Sequence, residues 1–516
     1  MRITIMIGCA LVGAMATLSA VRGEESDGAP GGRALPAAQV ADQELAESIT
    51  LQQCIERALA GSLDLQIERT NPQIEHWSIA RELAAFEPAL IGQVNYQDTH
   101  TPLDHTASAS LAGRPESIYQ QTFSVNPALV GKLPTGTDYS LAVNENRYHG
   151  DYVSSNFLFT GGTTLTLTQP LLKNGWNANT AGLRVARKSK EIALLGLSHK
   201  VTQVISDVSF AYYELVFAIE NHKASREGLR SAENLLTEDR SLVKAGLLSP
   251  LEVTQAEAGV AERQEAVIVA EVEIKERANL LRLLMGTDVV AAGDAVLLPV
   301  DAPQSALVAL DQLTSTRTAL ELRADYLQAK RAVEQQGIIV RYNQQQLWPQ
   351  VDLKASYGWN GEDVAFNSMV DRVGSFNQPS WAVGVAVTLP LGNGRARAEY
   401  ETAKLNRERA LLNLKHLEQI IVVEVANAVA RVRADFKRVE ATQVAWRLAE
   451  ESLQAEQKKL REGLSTSFLV LQAQTQLTAI HSAEIRARVS YNESLITLAR
   501  AEGTILRQHN IVVDEK

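Results

Sequence analysis

Side chains that could carry out chemistry are few in this chain of 516 residues, and they form no recognisable catalytic set. The nine histidines are scattered, and the sequence contains no HExxH motif, Walker loop, CxxC pair or Ser-His-Asp arrangement. Asp104 and His105, close to His100, have the residue types of a metal site, but their polar surroundings favour a solvated external loop. We therefore predict no catalytic residues, no cofactor and no bound metal.

One short pattern occurs twice and is more informative. Gly246-Leu247 is followed by Ser249-Pro250, and Gly463-Leu464 is followed by Ser465-Thr466. A basic residue precedes each glycine by two positions, and Val-x-Gln-Ala follows each glycine by seven. Glycine can end a helix in a positive φ conformation, and Ser or Thr caps the next helix. The pattern predicts two tips, one near 244–251 and one near 461–468, each joining two long helices.

The elements that must position these tips are duplicated as well. A capping-box pattern at Thr50 predicts a helix to about Phe86, and a second helix is predicted from about Thr318 to Leu347. Each helix is followed by strands in which apolar and polar residues alternate, which is typical of β structure. The clearest alternating apolar positions are in the second copy: Val351, Leu353, Ala355, Tyr357 and Trp359, then Trp381, Val383, Val385 and Val387.

The two copies differ mainly in the length of their β section. The section 88–170 spans 82 residues, whereas the section 349–390 spans 41. Two further alternating stretches in the first copy, 121–125 and 139–143, flank a turn at 133–137 and predict an added hairpin. Its alternation favours pairing with the other strands, although it could also fold over them as a rim or plug.

The helices on both sides of the tips have the residue pattern of helices that pack side by side. Helices of about 65 residues would be roughly 100 Å long, which is too long for a compact globule and suits a spanning tube. An apolar stripe at three- and four-residue spacing is predicted to form the packed face. Its residues are Val201, Val204, Ile205, Val208, Tyr212, Leu215, Val216 and Ile219.

The chain is therefore divided into two repeats with flanking segments. We expect a signal peptide (1–23), a flexible leader (24–47), repeat 1 (48–285), a linker or equatorial belt (286–315), repeat 2 (316–506) and a C-terminal tail (507–516). The formal charge of −10 makes an exported chain a poor candidate for nucleic-acid binding.

Several marks appear in the same order in both copies, between Thr50 and about Leu506. They are the paired tip motifs, the strand entries at Pro88 and Pro349, and the strand exits Gln169-Pro170-Leu171 and Leu389-Pro390-Leu391. With these marks the chain resembles the TolC-type outer-membrane efflux proteins. The resemblance implies an α+β fold in which membrane β-barrel strands are continuous with a long α-helical periplasmic barrel, built from two internal repeats.

The resemblance also implies a function and partners. It predicts a homotrimeric channel in outer-membrane lipid, which passes substrates from an inner-membrane pump and a periplasmic adaptor (membrane fusion) protein to the exterior, for efflux or type I secretion. The strands of one chain are too few to close a barrel, so several chains would share one. The alternative from another class is a periplasmic coiled-coil adaptor or scaffold protein without a membrane barrel.

Site residues are carried over onto positions that match the family pattern. The tip residues implied to contact the adaptor are Gly246, Leu247, Gly463, Leu464 and Ser465. The positions implied to form the periplasmic gate are Glu252, Gln255, Leu469 and Gln472. Because Leu469 and Gln472 stand where family members often have acidic residues, we predict a mainly apolar gate, with Glu252 as a weak cation filter. The alternative is that Leu469 packs inside its own hairpin and gates nothing.

Overall fold

The computed structural model of the protein describes residues 47–102, 117–151, 153, 156–246, 248–287, 297–303, 306 and 310–513. The expected signal peptide (1–23) and all but the last residue of the expected leader (24–47) lie outside these residues. Asp104, His105 and Leu247 lie outside them as well.

Most of the strands in the described part of the chain belong to a single sheet. The strands are β1 (Glu47–Ile49), β2 (Ala89–Pro102), β3 (Ser117–Lys132), β4 (Asp138–Gly150), β5 (Leu158–Pro170), β6 (Leu297–Pro299), β7 (Gln350–Asp363) and β8 (Pro379–Thr388). The six-stranded sheet has the order β2-β3-β4-β5-β7-β8, and all its neighbours are antiparallel. β1 and β6 form a separate parallel pair. β5 pairs with β7, so the two repeats share one continuous sheet.

The added residues of repeat 1 form β3 and β4, which pair within this sheet between β2 and β5. The turn between them contains Gly136 at φ +91°, and the Leu133 amide donates to the Thr137 carbonyl at 2.8 Å. Repeat 1 therefore contributes four strands of the sheet and repeat 2 contributes two. The hairpin widens the sheet and does not fold over it.

One face of the sheet is apolar across all six strands. Directly opposed residues on neighbouring strands point to the same face, and one set of them extends from β2 to β8. We call this set the apolar row; it consists of Leu90, Leu129, Leu141, Leu165, Tyr357 and Trp381. Every member is a large hydrophobic residue exposed in the single chain. The opposite face is polar, with Ser140, Thr166 and Ser356 paired across three strands.

The helices in the described residues are α1 (Leu51–Gly61), α2 (Leu63–Ala84), α3 (Trp176–Asn179), α4 (Ala181–Lys244), α5 (Pro250–Met285), α6 (Gln312–Leu322), α7 (Ala324–Gln346), α8 (Phe366–Gly374), α9 (Gly394–Arg461), α10 (Ser467–Glu502) and α11 (Ile505–Gln508). The helices before the tips, α4 and α9, have 64 and 68 residues, close to the predicted length. The helices after the tips, α5 and α10, have only 36 residues each. Within the described ranges, no helix has the length and hydropathy needed to cross a bilayer.

Two helices predicted to be continuous are interrupted in the structure. The helix from Thr50 divides at Ser62 into α1 and α2, and the helix predicted from Thr318 divides at Arg323 into α6 and α7. The dihedral angles at the two breaks are nearly equal, with φ −59° and ψ 120° at Ser62 and φ −63° and ψ 122° at Arg323. The capping box at Thr50 is formed as predicted. Helical periodicity alone did not show the breaks.

Each break is contacted by the left-handed glycine that ends a tip helix of the same repeat. Gly286, which ends α5, lies against the carbonyl of Gly61, and Gly503, which ends α10, lies against the backbone of Arg323. A Cβ on Gly503 would be 3.0 Å from the Arg323 amide nitrogen. The shorter α5 and α10 therefore end where a second helix begins, which explains why they need not match the length of α4 and α9.

The main core forms where these elements meet the middle of α4. The predicted stripe on α4 is buried except for Ile219, which is partly buried and packs against the same core. Tyr212 is fully buried and donates its hydroxyl proton to the carboxylate of Asp301 at 3.1 Å. The same carboxylate accepts from the Leu51 amide at 2.7 Å and so caps α1. Asp301, a linker residue, thus joins the beginning of α1 to the long helix α4.

Candidate functional site

The two tips have the same backbone conformation. Gly246 and Gly463 have φ of +73° and +72°, and apart from their own chain neighbours no atom of the described residues lies within 4 Å of the position of a Cβ on either. Glycine is therefore required by the dihedral angle and not by lack of space. The following helices are capped by Ser249, whose hydroxyl accepts from the Leu251 amide, and by Thr466, whose hydroxyl accepts from the Leu469 amide.

The second tip presents an apolar side chain to its surroundings. Leu464 is 74% exposed, while its amide donates to the carbonyl of Lys459 at 2.8 Å, which fixes the backbone. Ser465 donates to the carboxylate of Glu456, and this bond, together with Lys459, holds the pKa of Glu456 below its usual value. The tip is thus a rigid turn with a leucine at its surface. The matching residue of the first tip, Leu247, lies outside the described chain.

The residues proposed for the gate are located just beyond the tips, at the beginning of α5 and α10. Glu252 is in the first turn of α5, and Gln255 follows it one turn later, half-buried. On α10, Leu469 is 43% exposed in the single chain, and Gln472 is exposed as well. Val470, which is 1% exposed, fills the core of the hairpin in place of Leu469. Leu469 is therefore free to face a neighbouring subunit or a lumen, and its role as a gate stays a prediction.

The structure brings both tips together around a residue that the sequence analysis missed. Asp239 of α4 is fully buried, and Ser467 of α10 donates to its Oδ1 at 2.7 Å. The Oδ2 of Asp239 and the Oε2 of Glu252 are both buried and have no hydrogen-bond partner in the described chain. Burial raises the pKa of Asp239, and the negative charge of Glu252 adds to this effect. The only signal in the sequence is the four-residue spacing, which places Asp239 on the same helical face as Leu235.

Polar pairs continue along the contact between α4 and α10, away from the tips. Gln474 donates to the hydroxyl of Ser231 at 3.0 Å, and Ser482 donates to the side chain of Asn221 at 2.7 Å. An all-apolar contact would hold two helices in one register by shape alone, whereas these bonds make the register depend on a few directional contacts. Repeat 1 and repeat 2 are therefore joined near the tips by a polar seam.

At the far end of this seam, two carboxyl groups lie together. Arg486 and Arg277 form ion pairs with Glu214. Glu493, on α10, lies half-buried beside it. Burial, and then the hydrogen bond with Glu214, raise the pKa of Glu493 to about 7. The carboxyl group of Glu493 can therefore hold a proton near neutral pH.

These groups do not form a reactive centre. In the part of the chain that the structure describes, no cluster of three or more His, Cys, Asp or Glu side chains could hold a metal ion. His100 lies beside the ring of Tyr119, with a centroid separation of 4.9 Å, and its predicted neighbours Asp104 and His105 are outside the described residues. The arrangement consists of a joint between two hairpins and exposed tips, which suits contact with another protein.

Comparison with known proteins agrees with this architecture. The sequence profile of the family described as outer membrane efflux protein matches residues 106–287 and 316–504. The chain is 24% identical over 466 residues to the probable efflux pump outer membrane protein TtgC of Pseudomonas putida, covering 88% of this chain and 82% of that protein.

Solved structures with the same fold include two outer-membrane proteins. VceC of Vibrio cholerae has a TM-score of 0.64 at 19% identity, covering 88% of this chain and 96% of that one. The CmeC outer membrane channel of Campylobacter jejuni has a TM-score of 0.63 at 16% identity, covering 90% of each chain.

Proposed function

The chain belongs to the outer membrane efflux protein family, and from this premise we propose that three copies form an outer-membrane exit duct. In this proposal the duct receives substrates from an inner-membrane pump through a periplasmic adaptor protein and releases them outside the cell. The polypeptide is a transport component and not an enzyme.

The observation that carries the proposal is the six-stranded sheet with its apolar row. Both outer strands, β2 and β8, have one free edge within the described chain. Free backbone N–H and C=O groups cannot remain without partners in lipid, because each would cost several kcal/mol. The edges therefore have to pair with the edges of other chains, which closes the sheets into a shared barrel.

The number of strands defines the size of that barrel. Three chains with six strands each would supply about 18 strands, a number that leaves an aqueous channel in the centre of a barrel. The apolar row would then face lipid, and the polar face with Ser140, Thr166 and Ser356 would line the water-filled interior. Four strands per chain, as two equal repeats would supply, would give a narrower barrel of about 12 strands.

The helices complete the proposed duct. α4, α5, α9 and α10 would form the wall of a periplasmic tunnel, and the tips with Gly246, Leu247, Gly463, Leu464 and Ser465 would contact the adaptor. The exposure of Leu464 supports this assignment. The alternative, a periplasmic adaptor or scaffold, is less consistent with the sheet, since it would leave the apolar row in water.

Membrane extraction followed by light scattering tests the proposal. The mature protein should remain in the membrane after an alkaline carbonate wash, require detergent for release, and have the mass of three chains. The purified trimer should form ion-conducting pores in planar bilayers. Release by carbonate alone, or a monodisperse monomer that still conducts ions, would contradict the shared barrel.

A further inference from the structure

The short helix α8 lies on the apolar face of the sheet, although it belongs to the connection between β7 and β8. Directly beneath it, Gly161 and Gly361 oppose each other on β5 and β7. A Cβ on Gly361 would be 2.8 Å from the Met369 carbonyl oxygen, and a Cβ on Gly161 would overlap the Met369 sulfur. Met369 itself is 2% exposed. The two glycines therefore make room for the helix on this face.

Two further contacts hold α8 against the strands. Arg372 forms an ion pair of 2.6 Å with Asp363 at the end of β7. Phe376, which follows α8, packs edge-on against Trp359 with a centroid separation of 4.8 Å. The helix is thus anchored at the level where the sheet ends and the connection begins.

The sequence of α8 is amphipathic, but only part of its apolar stripe is covered. Phe366, Met369, Val370 and Val373 are spaced as one helical face. Met369 and Val373 contact the sheet, whereas Phe366 and Val370 are 41% and 48% exposed. Asn367 and Asp371 occupy the other side of the helix and are exposed. An apolar edge therefore remains open beside the apolar face of the sheet.

A belt of aromatic rings locates this edge relative to the membrane. Successive ring contacts cross the sheet on the same face and end at α8, with centroid separations between 4.9 and 6.4 Å. The aromatic belt consists of His100, Tyr119, His149, Phe157, Phe159 and Phe366. The guanidinium group of Arg147 lies over the ring of Phe157 at 5.0 Å. Belts of aromatic rings mark the boundary between the apolar band and water in membrane barrels.

From this placement we propose that α8 is a membrane-surface helix, which rests in the outer leaflet at the boundary between headgroups and acyl chains. Phe366, Val370 and Phe376 contact lipid there, and Asn367 and Asp371 face water. The inference rests on the proposed function, because it requires the apolar row to face lipid. The occupant is lipid, since the open edge of α8 continues the face formed by the apolar row.

Fluorescence quenching at single cysteines tests this proposal. Val370→Cys reports on the open edge of α8, Asn367→Cys on its opposite side, and Leu165→Cys on the apolar row. Leu165 is four residues along β5 from Gly161, or roughly 13 Å further into the apolar band. Cys54 can stay, because it is fully buried and burial raises its pKa to about 12, which suppresses the reactive thiolate.

Each variant would be labelled with a polarity-sensitive fluorophore, and the trimers reconstituted in phosphatidylcholine–phosphatidylglycerol vesicles. The vesicles carry a spin label at the headgroup, near the ester carbonyl or at the middle of the acyl chain. We expect quenching at Val370 to be about threefold stronger with the carbonyl label than with the mid-chain label, as for a surface helix. Leu165 should show the reverse order, and Asn367 should respond only to a water-soluble quencher.

The quenching results distinguish a failure of this inference from a failure of the proposed function. If Leu165 is quenched from the acyl chains but Val370 responds like Asn367, α8 does not contact lipid and the inference is wrong, while the membrane sheet stands. If Leu165 is not quenched by any lipid label, the sheet is not in the membrane and both proposals fail.

Discussion

Ser467 of α10 donates a hydrogen bond to the buried carboxylate of Asp239 on α4, with 2.7 Å between their oxygen atoms. The two residues belong to different repeats and are 228 positions apart. The bond lies beside both tips, at the end of the hairpins where the gate and the adaptor contact are proposed.

Removal of this hydroxyl should destabilise the protein measurably. In Ser467→Ala, both oxygens of Asp239 would be buried without a donor, and an unsatisfied buried acceptor costs about 1–3 kcal/mol. The free energy of unfolding in detergent should fall by that amount. Ser465→Ala is the matched control, because its hydroxyl bonds to Glu456, which is only partly buried and keeps its ion pair with Lys459, so its loss should cost less. Equal losses in the two variants would argue against a special role for the Asp239 contact.

The raised pKa of Glu493 should make stability depend on pH. The raised pKa of Glu493, about 7 against an ordinary 4.5, means that the folded state keeps a proton that the unfolded state has already lost. Stability should therefore decrease as pH rises from about 4.5 to 7 and then level off. After allowance for solvent screening, we expect a loss of roughly 1–3 kcal/mol across this window.

Thermal unfolding at pH 5, 6, 7 and 8 would measure this slope. Glu493→Gln should remove most of it, because a neutral amide replaces the group that titrates. Glu440→Gln, at an exposed site of α9, should keep the slope of the original chain. A Glu493→Gln protein with an unchanged pH profile would show that another group is responsible.

Charges at the tips should prevent docking without preventing assembly. In the double variant Leu247→Asp and Leu464→Asp, two carboxylates replace side chains proposed to be buried against the adaptor, and burial of unpaired charge is strongly unfavourable. We expect loss of efflux, with folded trimers still present in the membrane. The variant with methionine at both positions should retain efflux, because it keeps the apolar contact. Unchanged tolerance of pump substrates in the aspartate variant would place the docking surface elsewhere.

The gate can be tested by single-channel recording. Leu469→Ser should raise the resting conductance, because a hydroxyl makes an apolar constriction easier to wet. Glu252→Gln should reduce the preference for cations, because it removes one negative charge per subunit. Phe468→Ser is the control on the same helical turn, since Phe468 is also exposed but points in another direction. If Leu469→Ser and Glu252→Gln both behave like the original channel, the constriction is at other residues.

The additional hairpin should determine the width of the outer mouth. Deletion of residues 117–150 removes β3 and β4 and leaves β2 able to pair with β5 in antiparallel orientation. With about 12 strands in place of about 18, the barrel diameter should decrease by about one third. The size of the largest polyethylene glycol that lowers the current from the outer side should decrease accordingly. A trimer with the same size limit would exclude these strands from the barrel.

Local features of this protein could be predicted from its sequence. The positive φ angles of Gly246 and Gly463, the capping box at Thr50 and the buried stripe on α4 each depend on a residue and its near neighbours. The alternating strands were found for the same reason, since a period of two reports which side chains share a face. The family followed from the repeated order of these local signals.

The relationships between distant residues depended on the tertiary structure. Periodicity does not say which element covers a face, so the contact of Met369 with Gly161 was not predictable. The alternation in β3 and β4 favoured their pairing, but it did not show which strands would lie beside them. The breaks at Ser62 and Arg323 are contacted by glycines far along the chain, and helical patterns continue through both positions. Asp239 is hydrophilic by type, yet the approach of α10 buries it and raises its pKa. A local pattern specifies an element and its faces, whereas the environment of a side chain depends on elements that are distant in sequence.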